Sequence, residues 1–245
     1  MPQPLNSLHA MSDLVSGFGS SVRLRRHQYI IRRGERPEAV LLLLEGWAAR
    51  YKLLPDGRRH ISQFYMPGDL CDLSWLVSGE AGQAVTALTP INAIAVDRKI
   101  IEERLGTDAS FSHGVAVDSL LRLEAQAEWI VTLGCRSAIE RLSQLFCELY
   151  LRIERSGRTA KLACNFPLSQ QHLADFTGMS AVHVCRTLRL MKNEKLLELR
   201  RRKLSIPDFS SLASSCAFSG TYLGENRLSD ARRFGLPNSL NAAAL

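Results

Sequence analysis

The stretch SQQHLADFTGMSAVHVCRTLRLM, residues 169–191, constrains the fold of this chain more than any other segment. It begins with Ser169, a residue type that caps helix N-termini, and Gly178 stands where a first helix would end in a left-handed turn. Projected at about 100° per residue, the part after the glycine gathers a core stripe of Val184, Leu188 and Met191. Helix, glycine turn and helix together predict a helix-turn-helix unit.

The opposite side of the second helix carries Val182, Cys185, Arg186 and Arg189. A helix face that only meets water usually mixes Glu with Lys, whereas this face has two arginines, no acid and two small apolar side chains. A buried helix that merely carries some charge is the alternative interpretation. The pattern favours a surface that binds an anionic partner, and in helix-turn-helix units the second helix enters the major groove of DNA.

The distribution of charge supports a nucleic-acid partner. The 245 residues carry a formal net charge of +7; residues 151–245 hold 15 Lys and Arg against 7 Asp and Glu, whereas residues 1–150 hold 16 against 17. Such asymmetry indicates nucleic acid or a membrane. The chain has no long apolar run and no basic amphipathic helix with aromatic anchors. We therefore expect double-stranded DNA as the partner, no membrane association, and a soluble cytoplasmic protein.

From about residue 22 to residue 96, short apolar runs alternate with turn residues. The dipeptides Glu45-Gly46, Asp56-Gly57 and Pro67-Gly68 separate runs that are rich in Val, Ile and Leu. Such dipeptides between short apolar runs are typical of antiparallel strands joined by tight turns. The pattern predicts an antiparallel, jelly-roll-like β-roll over residues 15–107.

Residues 108–135 are predicted to form one long helix. Apolar residues recur there at steps of four and three, at positions 116, 120, 123, 127 and 130. An ordinary amphipathic helix, buried once against its own chain, is the alternative interpretation. The stripe is narrow, however, and Val117, Leu121 and Trp129 offer a second apolar face for packing within the chain. We therefore expect a homodimer in which two copies pair through Leu120, Leu123, Ala127 and Ile130.

The segment after this helix is predicted to fold as a winged helix-turn-helix domain over residues 136–210. Ser137 is a suitable N-cap for the helix SAIERLSQLFCELYLRI, and LLELRRRKLSI predicts a hairpin whose tip, residues 200–203, is purely basic. A basic hairpin tip can lie along phosphates. Residues 211–245 are predicted to be a C-terminal tail that is partly disordered. The expected fold class is therefore α+β.

A β-roll, a long pairing helix and a winged helix-turn-helix, in this order, resemble the Crp/Fnr family of bacterial transcription regulators. The resemblance covers about residues 15–223. It is carried by RRGE, LLLLEGWAARYK, DGRRHISQF and PGDL in the roll, and by LGCRSAIERLSQLFCEL and FPLSQQHLADFTGMSAVHVCRTLRLM in the second half. The resemblance implies a homodimer that binds a near-palindromic DNA site through residues 180–192 and has RNA polymerase as a protein partner.

The resemblance places the DNA contacts of the family on specific positions of this chain. Ser169 and Gln170 match phosphate contacts at the first helix, and Arg186 matches the arginine that binds guanine O6 and N7. The glutamate common early in the second helix is here Val182, which implies a different half-site and offers a contact to a thymine methyl group. His183 either reaches DNA or has a plain structural role. The expected DNA-binding set is completed by Ser180, Arg189, Arg201 and Arg202.

The sensing half departs from the members that bind a cyclic nucleotide. Those have a Gly-Glu-Leu segment and a later Arg-Ser pair, whereas this chain has CDLSWLVSGEAGQAV and no Lys or Arg between Arg59 and Arg98. A bound phosphodiester would be poorly compensated, so cyclic AMP is not expected. An iron–sulfur cluster is not expected either, because no cysteine precedes Cys71. We expect no cofactor; the effector is unknown, and a haem or a thiol switch at Cys71 remains open.

Two other functions compete with this interpretation. An enzyme of the cupin type would need clustered metal ligands, but the roll offers only His27 and His60, and the chain has no GxSxG, P-loop or Gly-rich dinucleotide motif. We therefore expect no catalytic activity and no metal. The other alternative is a cyclic-nucleotide-like ligand-binding module that signals through a protein partner. The acid-free arginine face disfavours that alternative.

Overall fold

The computed structural model describes residues 17–157, 159–160 and 163–223. The chain divides into two compact units, and the division lies after Ser119. Each unit has its own secondary structure and core and is described by itself.

The first unit is an antiparallel β-roll. Its strands in the described part of the chain are β1 (Gly19–Leu24), β2 (Tyr29–Ile31), β3 (Ala39–Glu45), β4 (Ala48–Leu53), β5 (Arg59–Tyr65), β6 (Leu70–Cys71), β7 (Ala84–Ala87) and β8 (Ile91–Asp97). They form two four-stranded sheets with the orders β1-β8-β3-β6 and β2-β7-β4-β5. Neighbouring strands are antiparallel throughout these two sheets. The predicted roll is confirmed.

The core of the roll receives side chains from both sheets. Val40 and Val96 come from the first sheet and Ala48 and Val85 from the second, and all four are fully buried. The turn between β3 and β4 depends on Gly46, whose φ is 89° and whose Cβ, if present, would lie 2.2 Å from the Pro90 carbonyl oxygen. Only glycine fits this position, which explains the turn that the sequence indicates there.

Three helices accompany or follow the roll. They are α1 (Trp75–Ser78), α2 (Arg98–Thr107) and α3 (Ala109–Cys135). The Asp97 carboxylate accepts a hydrogen bond of 2.7 Å from the Lys99 N–H and so caps the start of α2. Helix α3 has 27 residues and corresponds to the predicted pairing helix. Phe111 in its first turn is buried in the core of the roll.

The second unit is a winged helix-turn-helix. Its main elements are α4 (Ala138–Arg155), β9 (Thr159–Ala160), β10 (Ala163–Asn165), α5 (Gln170–Thr177), α6 (Ala181–Asn193), β11 (Glu198–Arg200) and β12 (Lys203–Ser205). The four strands form a sheet with the order β11-β12-β10-β9. Ser137 and Glu140 form a capping box at the start of α4, as the sequence indicates for Ser137. Phe146 of α4 packs against Phe166, with ring centroids 5.2 Å apart.

The second unit continues beyond residue 210, where the winged helix-turn-helix domain was predicted to end. Two further elements follow it, α7 (Phe209–Ser214) and a 3₁₀ helix (Gly220–Leu223). Phe209 is buried beside Tyr150 of α4, with ring centroids 5.5 Å apart, so this segment belongs to the core of the unit. Elements of six and four residues are too short to show a helical period in the sequence. The rest of the predicted tail, residues 224–245, lies outside the described residues.

Candidate nucleic-acid interface

Caps at both helix starts position the helix-turn-helix. The Ser169 hydroxyl accepts a hydrogen bond from the His172 N–H, and the His172 Nδ1 accepts one from the Ser169 N–H, both at 3.2 Å. Gly178, with φ at 69°, ends α5, and the Ser180 hydroxyl accepts from the His183 N–H at 3.1 Å to start α6. His172 was not among the predicted functional residues, because the sequence signal of a capping box is Glu or Gln three residues after the cap, and here a histidine takes that place.

Helix α6 turns its predicted core stripe inward. Val184 and Met191 are both 0% exposed, and Leu188 is half-buried. Thr187 is buried with them, and its hydroxyl donates a hydrogen bond of 2.9 Å to the His183 carbonyl oxygen. This intrahelical bond satisfies the Thr187 hydroxyl, so the polar Thr187 can be buried on the inner face. The apolar pattern alone did not place Thr187 on that face.

The outer face of α6 forms a surface depression of about 460 Å³. Val182 is 71% exposed there, Arg186 and Arg189 are exposed, and Cys185 is half-buried. The lining residues are Gln170, Ala181, Val182, Cys185, Arg186 and Arg189. None of the six is acidic. Two guanidinium groups that share a depression with no carboxylate are suited to a phosphate or to the acceptor edge of guanine.

The other predicted contacts of the two helices lie outside this depression. Ser169 and Ser180 are the caps of α5 and α6, and both are exposed. A hydroxyl that accepts a capping hydrogen bond keeps its own O–H, which can still donate to a phosphate oxygen. His183 is exposed in the first turn of α6. Gln170 therefore lines the same depression as Arg186 and Arg189, whereas Ser169 and Ser180 do not.

The hairpin of β11 and β12 carries the predicted basic tip. Arg201 and Arg202 occupy its two-residue turn with φ values of 50° and 61°, and both side chains are exposed. The Phe166 N–H donates a hydrogen bond of 2.8 Å to the Arg202 carbonyl oxygen, which anchors the turn to the unit. Left-handed backbone at a non-glycine residue costs about 1–2 kcal/mol. The turn thus holds two arginines in a conformation that glycine adopts at no such cost.

The predicted dimer seam on α3 is exposed. Leu120, Leu123 and Ile130 are 62%, 59% and 73% exposed, and Ala127 is exposed with them. Val131, 51% exposed, adjoins this stripe and was not included in the predicted seam. Large apolar side chains in a row along one exposed helix face are typical of protein–protein contact surfaces.

A buried carboxylate joins three elements of the second unit. Trp129 of α3 packs edge-on against Phe176 at 4.6 Å between ring centroids, and its Nε1–H donates a hydrogen bond of 2.7 Å to Glu148 of α4. The Tyr222 hydroxyl, from the 3₁₀ helix, donates to the same carboxylate oxygen at 3.2 Å. Burial raises the pKa of the Glu148 carboxyl, although Arg152 and the two donors act in the opposite direction.

Arg50 is a partly buried cation of the roll that the sequence pattern did not indicate. Arg50 of β4 lies with its Nε 3.6 Å from Oδ2 of Asp72, a carboxylate whose side chain is 1% exposed. Ser74 accepts a hydrogen bond of 3.2 Å from Arg50 and donates one of 2.6 Å to Asp72. Cys71 is buried in the core of the roll. Among the described residues, no three His, Cys, Asp or Glu side chains are grouped so as to hold a metal ion.

Comparisons with known proteins agree with this architecture. The sequence profile of the cyclic nucleotide-binding domain matches residues 21–108, and that of the Crp-like helix-turn-helix domain matches residues 140–215. The nitrogen fixation regulation protein FixK of Azorhizobium caulinodans is 25% identical over 202 residues, which cover 82% of this chain and 81% of that protein. FixK of Bradyrhizobium diazoefficiens is 30% identical over 173 residues, covering 68% and 69%.

The solved structures show the same fold. The structure of FixK2 from Bradyrhizobium japonicum matches with a TM-score of 0.73 at 24% identity, over 82% of this chain and 98% of that one.

Within the described residues, no helix is both long and apolar enough to cross a membrane.

Proposed function

The chain belongs to the Crp/Fnr family of DNA-binding transcription regulators, and we propose that it binds a near-palindromic site as a homodimer through α6. The observation that carries this proposal is the acid-free depression in which Gln170, Arg186 and Arg189 meet. Base edges in the major groove and the phosphates beside it present acceptors, which guanidinium and amide groups contact as donors.

The contacts follow from the chemistry of each side chain. Arg186 donates two hydrogen bonds to O6 and N7 of a guanine, the commonest specific contact in the major groove. Gln170 and Ser169 lie at the N-terminus of α5 and hold a phosphate of the DNA. The first N–H groups of a helix are free to bind an anion at this end. The remaining contacts to the backbone or the groove come from Ser180, His183, Arg189, Arg201 and Arg202.

The exposed seam of α3 supports the homodimer. Two parallel copies would cover Leu120, Leu123, Ala127 and Ile130 and would place two α6 helices on half-sites about one helical turn apart. A two-fold symmetric protein in turn requires a near-palindromic site. RNA polymerase is the proposed protein partner, and the cytoplasm is the proposed compartment, since a bacterial regulator meets its DNA there. No catalytic step is part of this proposal.

We propose further that the roll does not bind a cyclic nucleotide. The charge of Arg50 is already compensated by Asp72, at 3.6 Å, and a phosphodiester beside this pair would face the buried carboxylate. Neither an iron–sulfur cluster nor a haem is part of the proposal, and the buried position of Cys71 does not favour a thiol switch.

Selection from a pool of random DNA duplexes tests the DNA-binding proposal. We expect the wild-type protein to enrich one sequence with two related half-sites, each containing a guanine, and we expect the variant with Arg186→Ala and Arg189→Ala to enrich none. Circular dichroism should show that both proteins are folded. A folded wild-type protein that enriches no sequence over the starting pool would contradict the proposal.

A further inference from the structure

The depression on α6 has an apolar side as well as a cationic one. Val182 is 71% exposed, and the half-buried Cys185 and Ala181 line the same depression. Leu190 is a second exposed apolar side chain of α6, at 46%, but it lies outside the depression. Val182 therefore differs from Leu190 in sharing a surface with Arg186 and Arg189.

The helical spacing places this apolar side close to the base that Arg186 contacts. Val182 precedes Arg186 by four residues, so the two side chains are neighbours on one face, with Cβ atoms about 5–6 Å apart. Stacked bases on one strand lie about 3.4 Å apart. If Arg186 contacts a guanine, as the proposed function requires, Val182 faces a base one or two pairs away.

The chemistry of the depression selects among the bases at that position. Cytosine offers its N4 amino group to an acceptor, for which a carboxylate is the usual partner, and no carboxylate lines the depression. Thymine offers a C5 methyl group, which an exposed valine can cover. Adenine and guanine present polar edges there, which Val182 would leave unpaired.

We propose that Val182, assisted by Cys185, recognises the C5 methyl group of a pyrimidine within two base pairs of the guanine that Arg186 contacts. The inference rests on the proposed function and specifies the half-site. Recognition then depends on the methyl group rather than on the pairing edge of the base. Uracil in place of thymine weakens binding, and 5-methylcytosine binds better than cytosine.

Binding to modified duplexes tests this proposal. In the selected site, each thymine within two base pairs of the guanine is replaced in turn by deoxyuridine, in one or both half-sites. At one of these positions we expect the wild-type affinity to fall about fourfold for one half-site and about 15-fold for both, because each substitution uncovers one methyl group. Cytosine at the same position should bind about fourfold more tightly when it is 5-methylated.

Two variants separate a methyl contact from a change in DNA shape. Val182→Ala should distinguish the thymine duplex from the deoxyuridine duplex less than the wild type does, whereas the control Leu190→Ala should keep the sensitivity of the wild type. Equal affinity of the wild type for both duplexes at every tested thymine would overturn the inference, as would an undiminished difference in Val182→Ala. In either case a retained preference for the selected site over random duplex would leave the proposed function intact.

Discussion

At the scale of single residues, the proposed DNA contacts depend on the rotation of α6 about its axis. Val182 and Val184 are two residues apart, yet the first is 71% exposed and the second 0% exposed. Val184→Asp buries an unpaired charge and should unfold the second unit, with a loss of more than about 3 kcal/mol. Val182→Asp should leave the fold intact but repel DNA. Thermal denaturation followed by circular dichroism, together with a DNA-binding assay, measures both effects.

The two aspartate variants act as controls for each other. A folded, DNA-binding Val184→Asp protein beside an unfolded Val182→Asp protein would mean that the helix faces the other way. The sequence predicted this rotation, because the spacing of Val184, Leu188 and Met191 fits one helical stripe. It did not predict that Thr187 is buried, because a polar side chain joins an inner face only when a local hydrogen bond satisfies it.

At the scale of elements, the wing is predicted to contact phosphates without regard to sequence. The double variant R201A and R202A should weaken binding to every duplex by a similar factor and flatten the dependence of log affinity on log salt by up to about two units per half-site. The matched control, R201K and R202K, keeps both charges and should keep the slope. Titrations at several salt concentrations provide the measurement. An unchanged slope in the alanine variant would show that the wing does not touch DNA.

The stability of the second unit should depend on pH through Glu148, the buried carboxylate that contacts α3 and the 3₁₀ helix. Burial raises the pKa of this carboxyl in the folded protein above its value of about 4.3 in the unfolded chain. Between the two pKa values the folded state holds the proton more strongly, so the contribution of Glu148 to stability is lost as pH rises through that window. The Glu148→Gln variant replaces this carboxyl with an amide that does not titrate, so it lacks this pH-dependent contribution.

Urea denaturation of the two proteins isolates this contribution. The free energy of unfolding of Glu148→Gln minus that of the wild type should increase as pH rises above about 4.3 and level off above the folded pKa. Other carboxyls titrate in both proteins, so their contributions cancel. A difference that stays constant or decreases between about pH 4 and pH 8 would contradict the role given to the buried Glu148 carboxylate.

The elements differ in how well the sequence predicts them. The strands and turns of the roll, the long α3 and the helix-turn-helix depend on local patterns and were predicted. The Arg50–Asp72 pair and the contact of Tyr222 with Glu148 were not, since they join residues 22 and 74 positions apart in the chain. Such contacts depend on how elements pack, which neither periodicity nor turn chemistry encodes. The two helices between Phe209 and Leu223 were not predicted, because elements of six and four residues are too short to show a helical period.

At the scale of the whole molecule, specific binding is predicted to require two copies. Leu123→Glu places a charge in the middle of the α3 seam and should yield monomers with little affinity for the selected site. The control Leu53→Glu changes a side chain of similar exposure in the roll, 56% against 59%, and should remain dimeric. Analytical ultracentrifugation at micromolar concentration distinguishes the two. A wild-type protein that is monomeric there would contradict the dimer.

The most direct test of sequence-specific binding by α6 is the effect of Arg186→Ala on two affinities, one for the selected site and one for random duplex DNA, at the same salt concentration. Arg186 is exposed on the outer face, so its loss should not disturb the fold. We expect a loss of about 1–3 kcal/mol per half-site on the selected site, relaxed preference at one base pair, and a much smaller change on random DNA. Equal losses on both DNAs, or none on either, would contradict recognition of a base by this helix.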